Sequence, residues 1–231
     1  MRRPRVGVLA LQGDVPEHER ALRSLVAPPG PRPVRVPADL EGLDALVLPG
    51  GESTTIADLL ARSGLAGPLV GRTTHGMGLL ATCAGLILIS RRIEPSPGGR
   101  DPTPLGLIDV EVRRNDFGRQ RESFEAPVRL PGVAGGPFPG IFIRAPRIIS
   151  VGPGAEPIAW RDDGEVVGVR SGRLWGLTFH PELSDDRRLH RAFLAALGPA
   201  PADGTGRVSG TYRSGTARAG ARRAPSGTRA A

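Results

Sequence analysis

Short apolar runs alternate with turn residues and helical segments through the first part of the chain. The apolar runs are rich in Val and Leu and stop at turn residues, which predicts buried strands at 5–11, 34–36, 43–48 and 78–82. Apolar spacing and capping residues predict helices behind them at 16–26, 53–61 and 86–90. Four predicted strands and three predicted helices thus follow one another, a pattern typical of a parallel sheet covered by helices on both faces.

The pattern changes after Ile93. Residues 94–104 are rich in Pro and Gly and are predicted to form a surface loop. A segment at 185–197 carries apolar residues on one face and predicts a final helix. Between them, short β-like runs lie at 106–113, 124–130, 140–144, 156–161, 165–170 and 173–178. The expected fold class is α/β, with a central, mostly parallel sheet.

Length, hydrophobic content and cysteine content limit the classes of protein to which the chain can belong. The chain has 231 residues, of which 39% are hydrophobic, and a body of about 200 residues fits one domain. Every apolar run is shorter than the ~18 residues of a membrane span, so no membrane segment is expected. Cys83 is the single cysteine, which excludes an intrachain disulfide and favours a reducing cytoplasm.

The basic charge is concentrated at the two ends of the chain. All 31 basic residues are arginine, and the formal net charge is +8. Three arginines lie within the first five residues, and six arginines and one acid, Asp203, follow Gly198, which leaves the body without net charge. A neutral body argues against a nucleic-acid-binding surface. A chain without lysine also cannot form a lysine Schiff base.

The composition divides the chain into two parts. Residues 1–198 are predicted to form one folded domain. Residues 199–231 consist largely of Gly, Ala, Ser, Thr, Pro and Arg and contain too few apolar residues to form a core. We therefore predict a disordered tail over 199–231.

Cys83 is a candidate nucleophile. It lies in Ala-Thr-Cys-Ala-Gly (81–85), between an apolar strand and an apolar helix. Small residues around a nucleophile at a sharp strand-to-helix turn are typical of a nucleophile elbow. The N-terminus of the following helix would stabilise a thiolate. The alternative is a buried structural cysteine, which is common for a lone cysteine in an apolar run.

His180 and Glu182 are candidate partners of that nucleophile. His180 ends an apolar run, and Glu182 follows two residues later. A histidine oriented by a carboxylate is the proton carrier that a cysteine nucleophile requires. The pair could instead be a surface turn or half of a metal site, but the other histidines show no ligand spacing, so no metal is expected. Asp185 and Asp186 resemble helix-capping residues.

A glycine-rich turn follows the strand at 43–48. Gly50 and Gly51 allow the backbone to approach a ligand with its N–H groups pointing inward. This suits an oxyanion hole in which the N–H of Ala84 is the second donor. The alternative is an ordinary glycine turn with a helix N-cap. A phosphate-binding P-loop is excluded, because that motif requires lysine.

These motifs occur together in one known family. The chain resembles class I glutamine amidotransferases and, among them, the glutaminase subunit of pyridoxal 5′-phosphate synthase. The resemblance covers residues 7 to about 197 and implies a three-layer α/β/α, flavodoxin-like domain. The matching stretches are GVLALQGD (7–14), EH (17–18), LPGGESTTI (48–56), TCAGLIL (82–88), RNDFGRQRESFE (114–125), FIRAP (142–146) and FHPEL (179–183).

The resemblance also implies roles for individual residues. It makes Cys83 the nucleophile, His180 the general base and acid, and Glu182 the carboxylate that orients His180. It assigns the contacts with the substrate, L-glutamine, to Gly51, Glu52, Ser53, Arg114, Ile143 and Arg144. It further implies that no cofactor is needed, and that ammonia passes to a synthase subunit in a hetero-oligomeric complex.

Two other functions stay open on the sequence alone. The chain could serve another class I amidotransferase, which should lack the RNxFGRQ and FIRAP stretches. It could also be a non-enzymatic, arginine-tailed binding protein. A basic patch would then be expected to extend over the folded body.

Overall fold

The computed structural model describes residues 2–96, 99–114 and 123–198. The predicted tail at 199–231 and most of the stretch at 114–125 lie outside these residues. No helix of the described part is long and apolar enough to cross a membrane.

A nine-stranded sheet forms the centre of the domain. Its strands are β1 (Val6–Leu9), β2 (Arg32–Val34), β3 (Ala45–Leu48), β4 (Gly78–Thr82), β7 (Phe124–Arg129), β8 (Phe138–Phe142), β10 (Glu156–Arg161), β11 (Val166–Ser171) and β12 (Leu174–Leu177). Their order across the sheet is β2-β1-β3-β4-β12-β11-β10-β7-β8. The first five of these run parallel, and the remaining pairs are antiparallel.

Helices and a small second sheet cover the central one. The helices are α1 (Val15–Leu22), α2 (Ser53–Arg62), α3 (Ala66–Thr74), α4 (Ala84–Ile89) and α5 (Arg188–Ala196), with short 3-10 turns at Pro37–Leu40 and Pro181–Leu183. The small sheet has the order β5-β6-β9, formed by β5 (Ser90–Ile93), β6 (Ile108–Arg113) and β9 (Arg147–Val151).

The apolar side chains divide into two cores, one on each face of the main sheet. On β3, Leu46 and Leu48 belong to one core, whereas Ala45 and Val47 belong to the other. Helices α2, α3 and α4 cover the first face, and α1 and α5 cover the second. Because the central strands are buried on both faces, they are continuous apolar runs without polar alternation.

The predicted α/β class with a mostly parallel sheet is confirmed. Strands β4 and β10 occupy the predicted residues, whereas the final helix begins only at Arg188. The backbone N–H of Arg188 is bound by the Asp186 carboxylate, so this acid lies at the helix start, as expected. Three elements were not predicted: α3, β5 and β9. The α3 sequence contains Gly67, Pro68 and Gly71, and their low helix propensity is the reason that no helix was predicted there.

Four parallel strands, β1, β3, β4 and β12, place their carboxyl ends at one edge of the sheet. The turns after them contain the Gln-Gly-Asp, Pro-Gly-Gly, Cys and His-Pro-Glu motifs. In open α/β sheets this edge is where ligands bind. The topology therefore collects all four motifs in one place.

Leu79→Ala tests how strongly the centre of this sheet contributes to stability. Leu79 is fully buried on β4, between β3 and β12. Its truncation should lower the free energy of unfolding by about 2–5 kcal/mol, measured by urea denaturation. Val36→Ala, at a half-exposed side chain, is the matched control and should change it by less than about 0.5 kcal/mol. Equal losses in both variants would contradict this description of the core.

Candidate active site

Cys83 lies at a strained turn between β4 and α4. Its backbone has φ 48° and ψ −106°, in the region that favours glycine. The backbone N–H of Cys83 donates to the Leu177 carbonyl over 2.8 Å, which fixes the turn against β12. Its thiol donates a weak hydrogen bond to the Ile143 carbonyl over 3.7 Å. This geometry matches the predicted elbow.

Small residues are required around this turn. A Cβ added at Gly85 would lie 2.3 Å from the Leu48 carbonyl oxygen. Only glycine therefore allows α4 to start directly against the end of β3. Six consecutive residues of α4, 84–89, are buried, so Cys83 is followed by a helix that is packed on all sides.

His180 and Glu182 meet as the sequence predicted. The His180 Nδ1 atom lies 2.7 Å from Glu182 Oε1, and both side chains are almost completely buried. The backbone N–H of His180 donates to the Ile141 carbonyl over 2.9 Å. Pro181 starts the 3-10 turn that brings the carboxylate back to the ring. The other ring nitrogen, Nε2, is buried and lies outside hydrogen-bond geometry with every described residue, although Cys83 is near enough to affect the charge of the ring.

The surroundings of His180 favour its charged form. Burial by itself would lower the pKa of His180, but hydrogen bonds with Asp14, Cys83 and Glu182 raise this pKa well above its ordinary value. Burial would likewise raise the pKa of Glu182, yet the two histidines that face it keep its pKa below the usual range. At neutral pH the pair is therefore an imidazolium and a carboxylate.

A second histidine, His18, contacts the carboxylate oxygen of Glu182 that does not face His180. The His18 Nε2 atom lies 3.4 Å from Glu182 Oε2 and 3.1 Å from the hydroxyl of Thr82. Burial lowers the pKa of His18, so its ring is neutral at neutral pH. His18 thus connects the buried carboxylate to Thr82, the residue immediately before Cys83.

The glycine turn after β3 packs against His180. A Cβ at Gly50 would lie 2.4 Å from the Cε1 atom of His180. The Gly50 carbonyl accepts a hydrogen bond from the Asp14 backbone N–H over 3.2 Å. The Gln12 side chain accepts one from the Glu52 backbone N–H over 2.9 Å. These contacts fix the turn that was predicted to form the oxyanion hole in position beside His180.

A pocket of about 310 Å³ opens onto Cys83. Its volume lies within the usual range for small-molecule sites. The residues that line it are Asp14, Gly51, Glu52, Ser53, Cys83, Ala84, Ile87, Arg114, Ile143, Arg144 and His180. The structure therefore brings together all six residues predicted to contact the substrate. Gly50 and Glu182, which were also predicted as site residues, do not line the pocket but contact His180, which does.

Charged groups line the mouth of the pocket. The Arg114 guanidinium is 2.9 Å from Asp101 Oδ1 and 3.6 Å from Glu52 Oε1. Burial would raise the pKa of Glu52, but hydrogen bonds from Thr54 and Thr55 outweigh it and lower the pKa to about 2. The Glu52 carboxylate caps α2 and remains anionic at neutral pH. Arg144, at φ 44°, is exposed and also lines the pocket.

Three residues of the site were missed by sequence reasoning. Asp14 and Ile87 line the pocket, and His18 lies behind it. Asp14 could have been found, because it ends a turn at the carboxyl edge of β1. Among the described residues, the one group able to hold a metal ion is Asp14, His180 and Glu182, whose ligand atoms lie within 4.8 Å of one another. In this structure His180 Nδ1 lies within hydrogen-bond distance of both carboxylates instead.

Similarity to solved structures gives the class of this protein. The chain is similar to a crystal structure described as a glutamine amidotransferase, with a TM-score of 0.76 and 45% identity over 84% of this chain and 99% of the other. PurLQS from Thermotoga maritima shares the fold, with a TM-score of 0.60 at 17% identity over 84% of this chain and 99% of that one. The class is thus that of the glutamine amidotransferases.

The chain belongs to the SNO glutamine amidotransferase family, whose model matches residues 8–198. A relative from Chloroflexus aurantiacus is 48% identical over 82% of this chain and 98% of its own length. A relative from Streptomyces coelicolor is 51% identical over 82% of this chain and 92% of its own length. Both relatives are named pyridoxal 5′-phosphate synthase subunit PdxT.

His180→Ala tests whether the imidazolium supports a thiolate at Cys83. Because the thiolate is the form that reacts, the rate of iodoacetamide alkylation at pH 7 should fall by about tenfold or more. Cys83 is the single cysteine, so mass spectrometry of the intact chain reports this site alone. His75→Ala, at an exposed histidine after α3, is the control and should leave the rate unchanged. Equal alkylation rates in wild type and His180→Ala would rule out a thiolate–imidazolium pair between Cys83 and His180.

Proposed function

We propose that the chain hydrolyses L-glutamine to glutamate and ammonia and delivers the ammonia to a pyridoxal 5′-phosphate synthase subunit. The observation that carries the proposal is the position of Cys83, in the lining of a pocket, next to an imidazole held by Glu182. Membership of a glutamine amidotransferase family supports the substrate.

The first half of the reaction forms a thioester. The Cys83 thiolate attacks the side-chain amide carbon of glutamine, and the carbonyl electrons move to the oxygen. The N–H groups of Ala84 and of the glycine turn stabilise this oxyanion. His180 then donates its Nε2 proton to the amide nitrogen, the C–N bond breaks, and ammonia leaves.

The second half regenerates the enzyme. His180, now neutral, removes a proton from water, and the resulting hydroxide attacks the thioester carbon. The C–S bond breaks, glutamate leaves, and the thiolate returns beside the imidazolium. Glu182 does not exchange protons; it holds the ring so that Nε2 faces the reacting atoms.

The polar pocket residues suit free glutamine. Its α-carboxylate matches a guanidinium, and we assign this contact to Arg114 or Arg144. Its α-ammonium requires acceptors, and the Glu52 carboxylate and the Ile143 carbonyl are available there. Gly51 and Ser53 complete the wall with backbone and hydroxyl groups.

The names of the relatives support a synthase subunit as the partner of this chain. Proteins similar over most of this chain are named as a subunit of pyridoxal 5′-phosphate synthase, and a subunit implies a complex. A lysine-free chain cannot itself form lysine Schiff bases, so such chemistry would belong to the partner. We also propose the cytoplasm as the compartment, because Cys83 must remain reduced to act.

Cys83→Ala should abolish glutamate release from glutamine, because the thioester can no longer form. The measurement compares wild type and variant with and without the matching synthase subunit. We expect the synthase subunit to increase the wild-type rate, since ammonia released without an acceptor is wasted. Activity that survives in Cys83→Ala would overturn the assignment of Cys83 as the nucleophile. Full wild-type activity without the synthase subunit would overturn the expected activation by that subunit.

Deletion of residues 199–231 should leave glutamine hydrolysis unchanged. We propose that residues 1–198 form the complete glutaminase domain, supported by a family match that ends at residue 198. The assay compares kcat and KM of the shortened and full-length chains in the presence of the synthase subunit. A large fall in kcat for the shortened chain would show that the tail belongs to the working assembly.

A further inference from the structure

Asp14 brings a second carboxylate to His180. Its Oδ2 atom lies 3.2 Å from His180 Nδ1, the same nitrogen that Glu182 contacts at 2.7 Å. The two acids come from opposite ends of the chain: Asp14 follows β1, and Glu182 follows β12. The Nδ1–H group therefore faces two acceptors at once.

The side chain of Asp14 has no evident role in building the fold. Asp14 occupies the N-cap position of α1, yet its carboxylate makes no capping hydrogen bond to that helix. Its backbone is held separately, through its N–H to the Gly50 carbonyl and its carbonyl to the His18 N–H. The carboxylate is thus directed to His180 while the backbone alone maintains the turn.

The two carboxylates differ in their access to ligand and solvent. The Glu182 side chain is completely buried, whereas that of Asp14 is 35% exposed and lines the pocket beside Cys83. The hydrogen bond with His180 is the main cause that lowers the pKa of Asp14, so this acid is ionised at neutral pH. Asp14 is therefore a negative charge that contacts the histidine and lines the same pocket.

Other titratable groups of the described residues also surround His180. Cys83 interacts with the ring, and His18 Nε2 lies 3.4 Å from Glu182 Oε2. Glu52, Arg114 and Arg144 line the same pocket. Of the acids in the described residues that contact the ring, Asp14 is the one with a partly exposed side chain.

We propose that Asp14 is a positioning residue of the glutaminase reaction, which shares the Nδ1–H of His180 with Glu182 and so maintains the imidazolium at the upper end of the working pH range. This role rests on the proposed function. Asp14 stabilises a charge on the adjacent ring more than it opposes one on the more distant sulfur, because Coulomb energy falls with distance. Its presence favours the thiolate–imidazolium pair over the neutral pair.

Asp14→Asn removes this charge while preserving the shape of the side chain. Without the carboxylate the pKa of His180 falls, so the alkaline limb of the kcat/KM profile should move to lower pH by about one unit. Alkylation of Cys83 by iodoacetamide at pH 7–8 should slow by about threefold to tenfold. Asp14→Glu should restore part of both effects, and Asp14→Ala should reproduce the result for Asn.

Asp58→Asn is the matched control, since it makes the same change of net charge at an exposed position on α2. It should change neither the alkaline limb nor the alkylation rate. A uniform loss of kcat in Asp14→Asn, with an unmoved pH profile and an unchanged alkylation rate, would overturn the proposal. Alkylation requires no glutamine turnover. If the wild type released no glutamate while Asp14→Asn still slowed alkylation, the proposed function would fail and the role of Asp14 would stand.

Discussion

Direct contact between backbones at one edge of the sheet is the constraint on which the site depends. A Cβ at Gly13 would lie 1.8 Å from the Gly50 carbonyl oxygen, and one at Gly85 would lie 2.3 Å from that of Leu48. No side chain separates the turns after β1, β3 and β4, so each turn fixes the next. Cys83, with its strained backbone, is held within this group of turns, and Gly50 leaves just enough room for His180.

The charged groups of the site are oriented before any substrate arrives. His180 lies between the carboxylates of Asp14 and Glu182, and the Arg114 guanidinium lies between those of Asp101 and Glu52. In each case a cation is paired with two acids from different segments. Such pairing reduces the reorganisation needed when a charged substrate binds or a charge develops, which is the condition for electrostatic catalysis. The arrangement also agrees with the absence of net charge on the body of the chain.

The sequence was informative where a single local pattern determines the structure. Continuous apolar runs located the central strands, and the small residues around Cys83 located the elbow, because both depend on nearest neighbours in the chain. Helix α3 was missed because its glycines and proline oppose helix formation, and packing against the core overrides them. Asp14 and His18 were missed because their partners lie near the other end of the chain, and only the strand order brings them together.

The pairing of β12 with β4 has a consequence for the order of synthesis. Strand β12 lies between β4 and β11, and it brings His180 next to Cys83, which is synthesised much earlier. Until the ribosome has produced β12, strand β4 is an edge strand paired with β3 alone, and His180 is not yet beside Cys83. The nascent chain therefore exposes an apolar edge of the kind that promotes aggregation. The pairing of β12 with β4 and the meeting of His180 with Cys83 are thus one late event.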